Sequence, residues 1–96
     1  MKPIRFLRPA ELEMLDAAQY YELQLSGLGH DFLDQIDAAI ETIRRNPERW
    51  PIIKMNIRRR LIPRFPYALL YRVDQDAIII QATMHTSRRP DYWLGR

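Results

Sequence analysis

Apolar residues recur along this chain first at helical spacing and later at strand spacing. Ile4 to Arg8 (IRFLR) alternates apolar and basic residues and predicts a short first strand, with Ile4 and Phe6 turned one way. Pro9 then sits where a first helical turn tolerates a residue without an N–H. From about Ala10 to Leu25 the pattern is that of a helix. At about 100° per residue, Met14, Ala17, Ala18, Tyr21 and Leu25 fall on one side, and Leu12, Leu15, Tyr20 and Leu23 on a second. Two apolar sides need two neighbours. Either the helix packs against both the sheet and a second helix, or one stripe receives a partner chain.

Ser26-Gly27-Leu28-Gly29 closes that helix, with Gly27 suited to a left-handed conformation. So short a connection predicts an antiparallel helical hairpin. The second helix runs from about His30 to Arg45. Leu28, Phe32, Leu33, Ile36, Ala39, Ile40 and Ile43 make one broad stripe, and Asn46-Pro47 ends it. NPERWP is a turn-rich linker in which Trp50 is read as a lid over one end of the core. Three strands follow: Ile57–Ile62, Tyr67–Val73 and Ala77–His85. Pro63 and Pro66 bracket a bend, and Asp74-Gln75-Asp76 forms a hairpin turn. The predicted order is β-α-α-β-β-β. This is an α+β fold with a helical hairpin on a mainly antiparallel curved sheet, the pairing of the first strand being open.

Ninety-six residues fit one domain, 1–96. The absence of cysteine excludes disulfides and thiolate metal sites. No apolar run is long enough to span a membrane, and MKPIRFLRP does not read as a secretory signal, so a cytoplasmic protein is expected. Charge is uneven. Residues 1–48 hold five Lys/Arg against nine Asp/Glu, whereas residues 49–96 hold ten against three. A basic second half suits an anionic partner, nucleic acid or acidic protein.

Strand alternation sharpens that expectation. Ile78, Ile80, Ala82 and Met84 share one face of the last strand, assigned to the helices, and Ile79, Gln81, Thr83 and His85 share the other. Arg58, Arg60 and Arg72 are then expected on the open face, with His85, Arg88, Arg89 and Tyr92 at its rim. Such a surface could bind phosphate through arginine forks. It could also cut RNA, with His85 and Tyr92 transferring protons and Arg72, Arg88 or Arg89 holding the phosphate. The alternative for Tyr92 and Trp93 is to pin the tail to the sheet. No metal or cofactor is expected, since neither a zinc spacing, a P-loop nor a dinucleotide fingerprint is present.

The segments PAELEMLDAAQYYE, GLGHDFLDQIDAAIETIRRNPERWP, RRRLIPRFPYALLYRV and IIIQATMHTSRRPDYW, in this order and spacing, resemble the RelE/ParE toxin superfamily. The likeness is strongest to the ParE-like branch often called plasmid stabilization proteins. It implies a growth-inhibiting toxin of a type II toxin–antitoxin system. Its partner would be a cognate ParD-like antitoxin with a disordered C-terminal segment, in a hetero-oligomer that binds operator DNA through the antitoxin. Leu12, Leu15, Tyr20, Leu23, Arg58 and Arg60 are the expected antitoxin contacts, suiting a segment of alternating apolar and acidic residues. ParE-like members are associated with poisoning DNA gyrase, and RelE-like members with cutting mRNA in the ribosome. Thr86 after His85 departs from the aromatic that the related YoeB-like pattern favours, and the ParE-like pattern carries over no catalytic residue.

Overall fold

The computed structural model describes residues 1–96. Its elements are β1 (Ile4–Phe6), α1 (Arg8–Gln24), α2 (Leu28–Arg45), β2 (Ile52–Lys54), β3 (Ile57–Leu61), β4 (Tyr67–Val73) and β5 (Ile78–His85). The sheet order is β1-β5-β4-β3-β2, and only the β1–β5 pair is parallel. The architecture is the α+β arrangement expected, with one more strand: β2, between the NPERWP linker and the second predicted strand, where the sequence pattern assigns no element. Its three residues are all exposed, so no apolar/polar alternation marks it.

The hairpin forms where two backbones come close. Gly29 is buried, and a Cβ there would fall on the carbonyl oxygen of Ala18 in α1. The Glu22 carboxylate accepts the N–H groups of Gly27 and Gly29 at 2.9 and 3.0 Å, satisfying donors that the start of α2 leaves free. The Gly27 hydrogen bond holds the Glu22 carboxyl below its ordinary value. Gly27 has φ of 90°, the left-handed conformation expected of it. It caps the start of α2, however. α1 ends on Leu25 in extended conformation, so Leu25 leaves its predicted apolar side and is 64% exposed.

The main core lies between the hairpin and one sheet face. It takes Ala10, Ala17 and Ala18 from α1, Phe32, Ile36, Ala39 and Ile43 from α2, and Leu69, Tyr71, Ile78 and Ile80 from the sheet. All seven residues of the predicted α2 stripe reach this core, and Trp50 packs against one end of it. Tyr21, Phe32, Phe65 and Tyr67 form an aromatic cluster with centroids 4.9 to 6.2 Å apart, edge-on except for the tilted Tyr21–Phe32 pair. A smaller second core covers the opposite face: Ile57, Ala68, Leu70, Ala82 and Trp93, with Met84 and Tyr92 against it.

One bulge decides which residues share a face. Leu70 pairs with Ala82 but Tyr71 pairs with Ile80, leaving Gln81 as an extra residue in β5. Ile78 and Ile80 face the helices as expected. Beyond the bulge the faces exchange. Ala82 and Met84 join the second core, whereas the Thr83 hydroxyl donates to the Ala10 carbonyl of α1 at 3.0 Å.

Candidate functional site

The expected basic face does not form. Arg58 and Arg60 sit opposite Tyr71 and Leu69, both main-core residues, and so lie on the helix side. Arg58 donates to the carbonyls of Glu48 and Trp50, and the Arg60 Nε to the Thr42 hydroxyl of α2 at 3.3 Å. Arg72 alternates with Leu70 and Ala68 on the other face, where it donates to Gln81 Oε1 at 2.6 Å and pairs with Asp74 at 3.3 Å. His85 also lies on the helix side, carried there by the bulge. The three arginines are therefore divided between two surfaces, and the helices cover the side that bears His85.

A cleft does gather some of the predicted residues. Glu13, Asp16, Ala17 and Tyr20 of α1 face Tyr67, Thr83, His85 and Arg88 across a space of about 300 Å³. A second depression, of about 550 Å³, shares Tyr20, Tyr67 and His85 and adds Tyr21 and Pro66. The His85 ring meets Tyr67 edge-on at 5.1 Å, extending the aromatic cluster, and its Nδ1 accepts the Ser87 N–H at 3.0 Å. Arg88 lies over the Tyr92 ring at 4.0 Å. Arg89 is exposed and makes no side-chain hydrogen bond or ion pair. Two carboxylates line this cleft, which disfavours a phosphodiester there. No three His, Asp or Glu side chains converge to hold a metal ion.

The residue that joins this region is Glu13, which sequence reasoning did not single out. Its carboxylate accepts the bulge-side Thr83 N–H at 3.1 Å, the Tyr92 hydroxyl at 2.7 Å and the Arg96 guanidinium at 2.9 Å. Both members of the Glu13–Arg96 pair are under one-fifth exposed. Gln81 completes the tie. Its amide donates to the Trp93 carbonyl at 3.2 Å, and Trp93 itself is buried on the second core. The tail is thus strapped across the sheet, with Lys54–Asp91 at 2.8 Å as a further tether. No periodicity could have revealed Glu13, because its partners are 70 to 83 residues away in sequence.

Tyr92 is consequently a donor bound to a carboxylate. Burial first, and then the hydrogen bond and charge of Glu13, raise its pKa well above the ordinary phenol value. Burial likewise pushes Tyr71 up to about 12, against the opposing charges of Arg58 and Arg60, and its hydroxyl donates to the Pro47 carbonyl. Raised phenols stabilise the fold fully below their unfolded value near pH 10, and that contribution is lost as pH rises through the folded values. The denaturation midpoint is expected to fall steadily above about pH 10. Tyr71→Phe and Tyr92→Phe should each flatten that fall; an unchanged slope in both would show that neither phenol is coupled to folding.

A helical hairpin packed on one face of an unclosed, mostly antiparallel sheet is the α+β arrangement of ParE-like proteins. Within that class, the family described as ParE toxin of type II toxin-antitoxin system, parDE, matches residues 4–90, and the chain belongs to it. Among solved structures, a chain of the chromosomal ParDE TA system from P. aeruginosa has a similar fold. Its TM-score is 0.62 at 19% identity, covering 88% of this chain and 96% of that one. A search of curated proteins returned no match.

Proposed function

We propose that this type II toxin inhibits growth by poisoning DNA gyrase and is neutralised by a cognate antitoxin. Membership of the ParE toxin family supports the class. The observation that favours gyrase over RNA cleavage is the dispersal of the candidate catalytic groups. Arg72 is engaged on one face by Gln81 and Asp74, and His85 stands on the other beside Glu13 and Asp16. The Tyr92 phenol, already donating to Glu13, is a poor proton acceptor for a 2′-hydroxyl. The antitoxin's place is suggested by the second stripe of α1. Leu12, Leu15, Tyr20 and Leu23 are 43%, 47%, 58% and 79% exposed, an unpartnered apolar helix face of the kind that receives another helix.

The test combines two readouts on purified protein. Inhibited gyrase supercoiling with accumulation of cleaved DNA, reversed by adding the antitoxin, is the expected result. Normal supercoiling together with codon-positioned transcript cuts would replace it with the endonuclease reading.

A further inference from the structure

The bulge at Gln81 shapes a groove as well as a strap. It turns Thr83 and His85 toward α1, and Tyr67 stands directly opposite His85 on the same side. The helix face they meet is made of Glu13, Asp16, Ala17 and Tyr20, three and four residues apart. Ala17 and Thr83 form a small, covered floor, at 3% and 2% exposure. Tyr20, Tyr67 and His85 continue as walls into the second depression, which Tyr21 and Pro66 complete. One groove thus has carboxylates at one end and rings at the other.

The two carboxylates are not equivalent. Glu13 is taken up by Thr83, Tyr92 and Arg96. Asp16 is exposed and has no ion-pair partner in the chain. Its surroundings repeat a pairing that the fold already uses next door. There the Arg96 guanidinium meets the Glu13 carboxylate at 2.9 Å and lies over the Tyr92 ring at 5.0 Å. Asp16 likewise has a phenol ring one turn along, that of Tyr20, and a second across the groove, that of Tyr67. A guanidinium suits such a setting because its plane stacks on a ring while its N–H fork meets a carboxylate. Burial first raises the Tyr67 phenol pKa, with Tyr21 and Glu13 adding to the rise and Arg88 opposing it. A surrounding that disfavours phenolate in this way gains from a nearby cation.

We propose that this groove binds an alkylguanidinium, with its planar head on Asp16 against the rings of Tyr20 and Tyr67 and its alkyl stem toward Tyr21 and Pro66. An anion is opposed by Asp16 and Glu13. A metal ion is opposed by the scatter of ligands and by the full hydrogen bonding of Glu13. Arg88 lines the same groove and lies over the Tyr92 ring at 4.0 Å. Its charge repels the ligand and keeps the affinity modest, which gives the site a test of opposite sign. The same chemistry is offered by a free small guanidine and by an arginine side chain of another protein. The proposal rests on the groove alone and not on how the toxin stops growth.

The probe is butylguanidinium, titrated into the isotopically labelled full chain, with butylurea as its uncharged isostere and inorganic phosphate as an anion. Amide shifts are expected at residues 16–20, 67 and 83–88, with the probe's methylene signals moved upfield by the tyrosine rings. Binding should be about tenfold tighter than for butylurea. Asp16→Asn, at an exposed position, should weaken it about tenfold, and Tyr20→Ala about threefold. Arg88→Ala should tighten it about threefold. Asp37→Asn removes an exposed, unpaired acid of α2 and should change it less than about twofold. Equal losses from Asp16→Asn and Asp37→Asn would mean net charge alone and would overturn the site. So would butylurea binding as tightly as butylguanidinium, displacement of the probe by phosphate, or shifts mapping away from the groove. A capped tripeptide of alanine, arginine and alanine then identifies the source. Binding as tight as that of butylguanidinium assigns the groove to an arginine of another protein. Failure of the tripeptide beside a binding butylguanidinium assigns it to a free small guanidine, and failure of both removes the proposal.

Discussion

Replacing Gly29 by alanine is expected to destabilise the protein by about 3 kcal/mol, near the top of the range for overpacking. The new methyl would meet the carbonyl oxygen of Ala18 and the Cβ of Glu22. A backbone oxygen inside α1 cannot step aside without moving the helix, so the hairpin has to open. Opening it also stretches the hydrogen bonds from the Gly27 and Gly29 N–H groups to Glu22. At this chain length such a loss lowers the melting temperature by roughly 12–24 °C. Gly27→Ala is the comparison. Nothing lies within 4 Å of its added Cβ, so only the positive φ of 90° is strained. That cost is about 1 kcal/mol. Thermal melts of the two variants separate steric collision from backbone strain. If both lose the same small amount, the close helix crossing does not hold the hairpin together.

The same hairpin was the most legible part of the sequence. α2 carries one unbroken apolar stripe with acids at its start and Arg44-Arg45 at its end, and nothing competes with that pattern. α1 was harder because apolar residues surround it. Of its two apolar sides, the one bearing Met14, Ala17, Ala18 and Tyr21 meets the core, and Leu25 drops out of it because the helix has already ended. Its other stripe remains exposed, which leaves open the partner role rather than the packed one. The sheet was legible in composition but not in register. A period of two holds only while the ladder is unbroken, and a single extra residue reverses every side chain beyond it. Gln81 does this in the middle of the most strand-like stretch in the chain, IIIQATMH. The alternation therefore placed Ile78 and Ile80 correctly and misplaced Ala82, Thr83, Met84 and His85.

That one slip carried the candidate site with it. Strict alternation puts His85 and Arg72 on one face, and the bulge separates them. Grouping Arg58 and Arg60 with them requires a register of β3 on β4 that the sequence does not contain. The direct pairing with Tyr71 and Leu69 turns them toward the helices. The alternative of a tail pinned to the sheet accounts for the buried Trp93 and for the hydroxyl of Tyr92 on Glu13.

Glu13 is where the pinning should be tested. Glu13→Ala removes the acceptor for the Thr83 N–H, the Tyr92 hydroxyl and Arg96 together, and leaves a largely covered guanidinium without its carboxylate. The expected loss is about 3 kcal/mol, the lower end for breaking a buried pair. Glu11→Ala is the control. Its pair with Arg8 is mostly solvent-exposed and should be worth under about 1 kcal/mol. A cycle with Arg96→Ala isolates the pair itself, with coupling of about 1–2 kcal/mol expected between contacting residues. Released from the carboxylate, the tail should lift Trp93 off Ile57, Leu70 and Ala82, so its fluorescence in a Trp50→Phe background should shift to longer wavelength. The Tyr92 phenol should at the same time titrate closer to its ordinary value, because the hydrogen bond and charge of Glu13 both raise it. A Glu13→Ala variant no less stable than Glu11→Ala, with unchanged Trp93 emission, would mean that apolar burial of Trp93 alone fastens the strap.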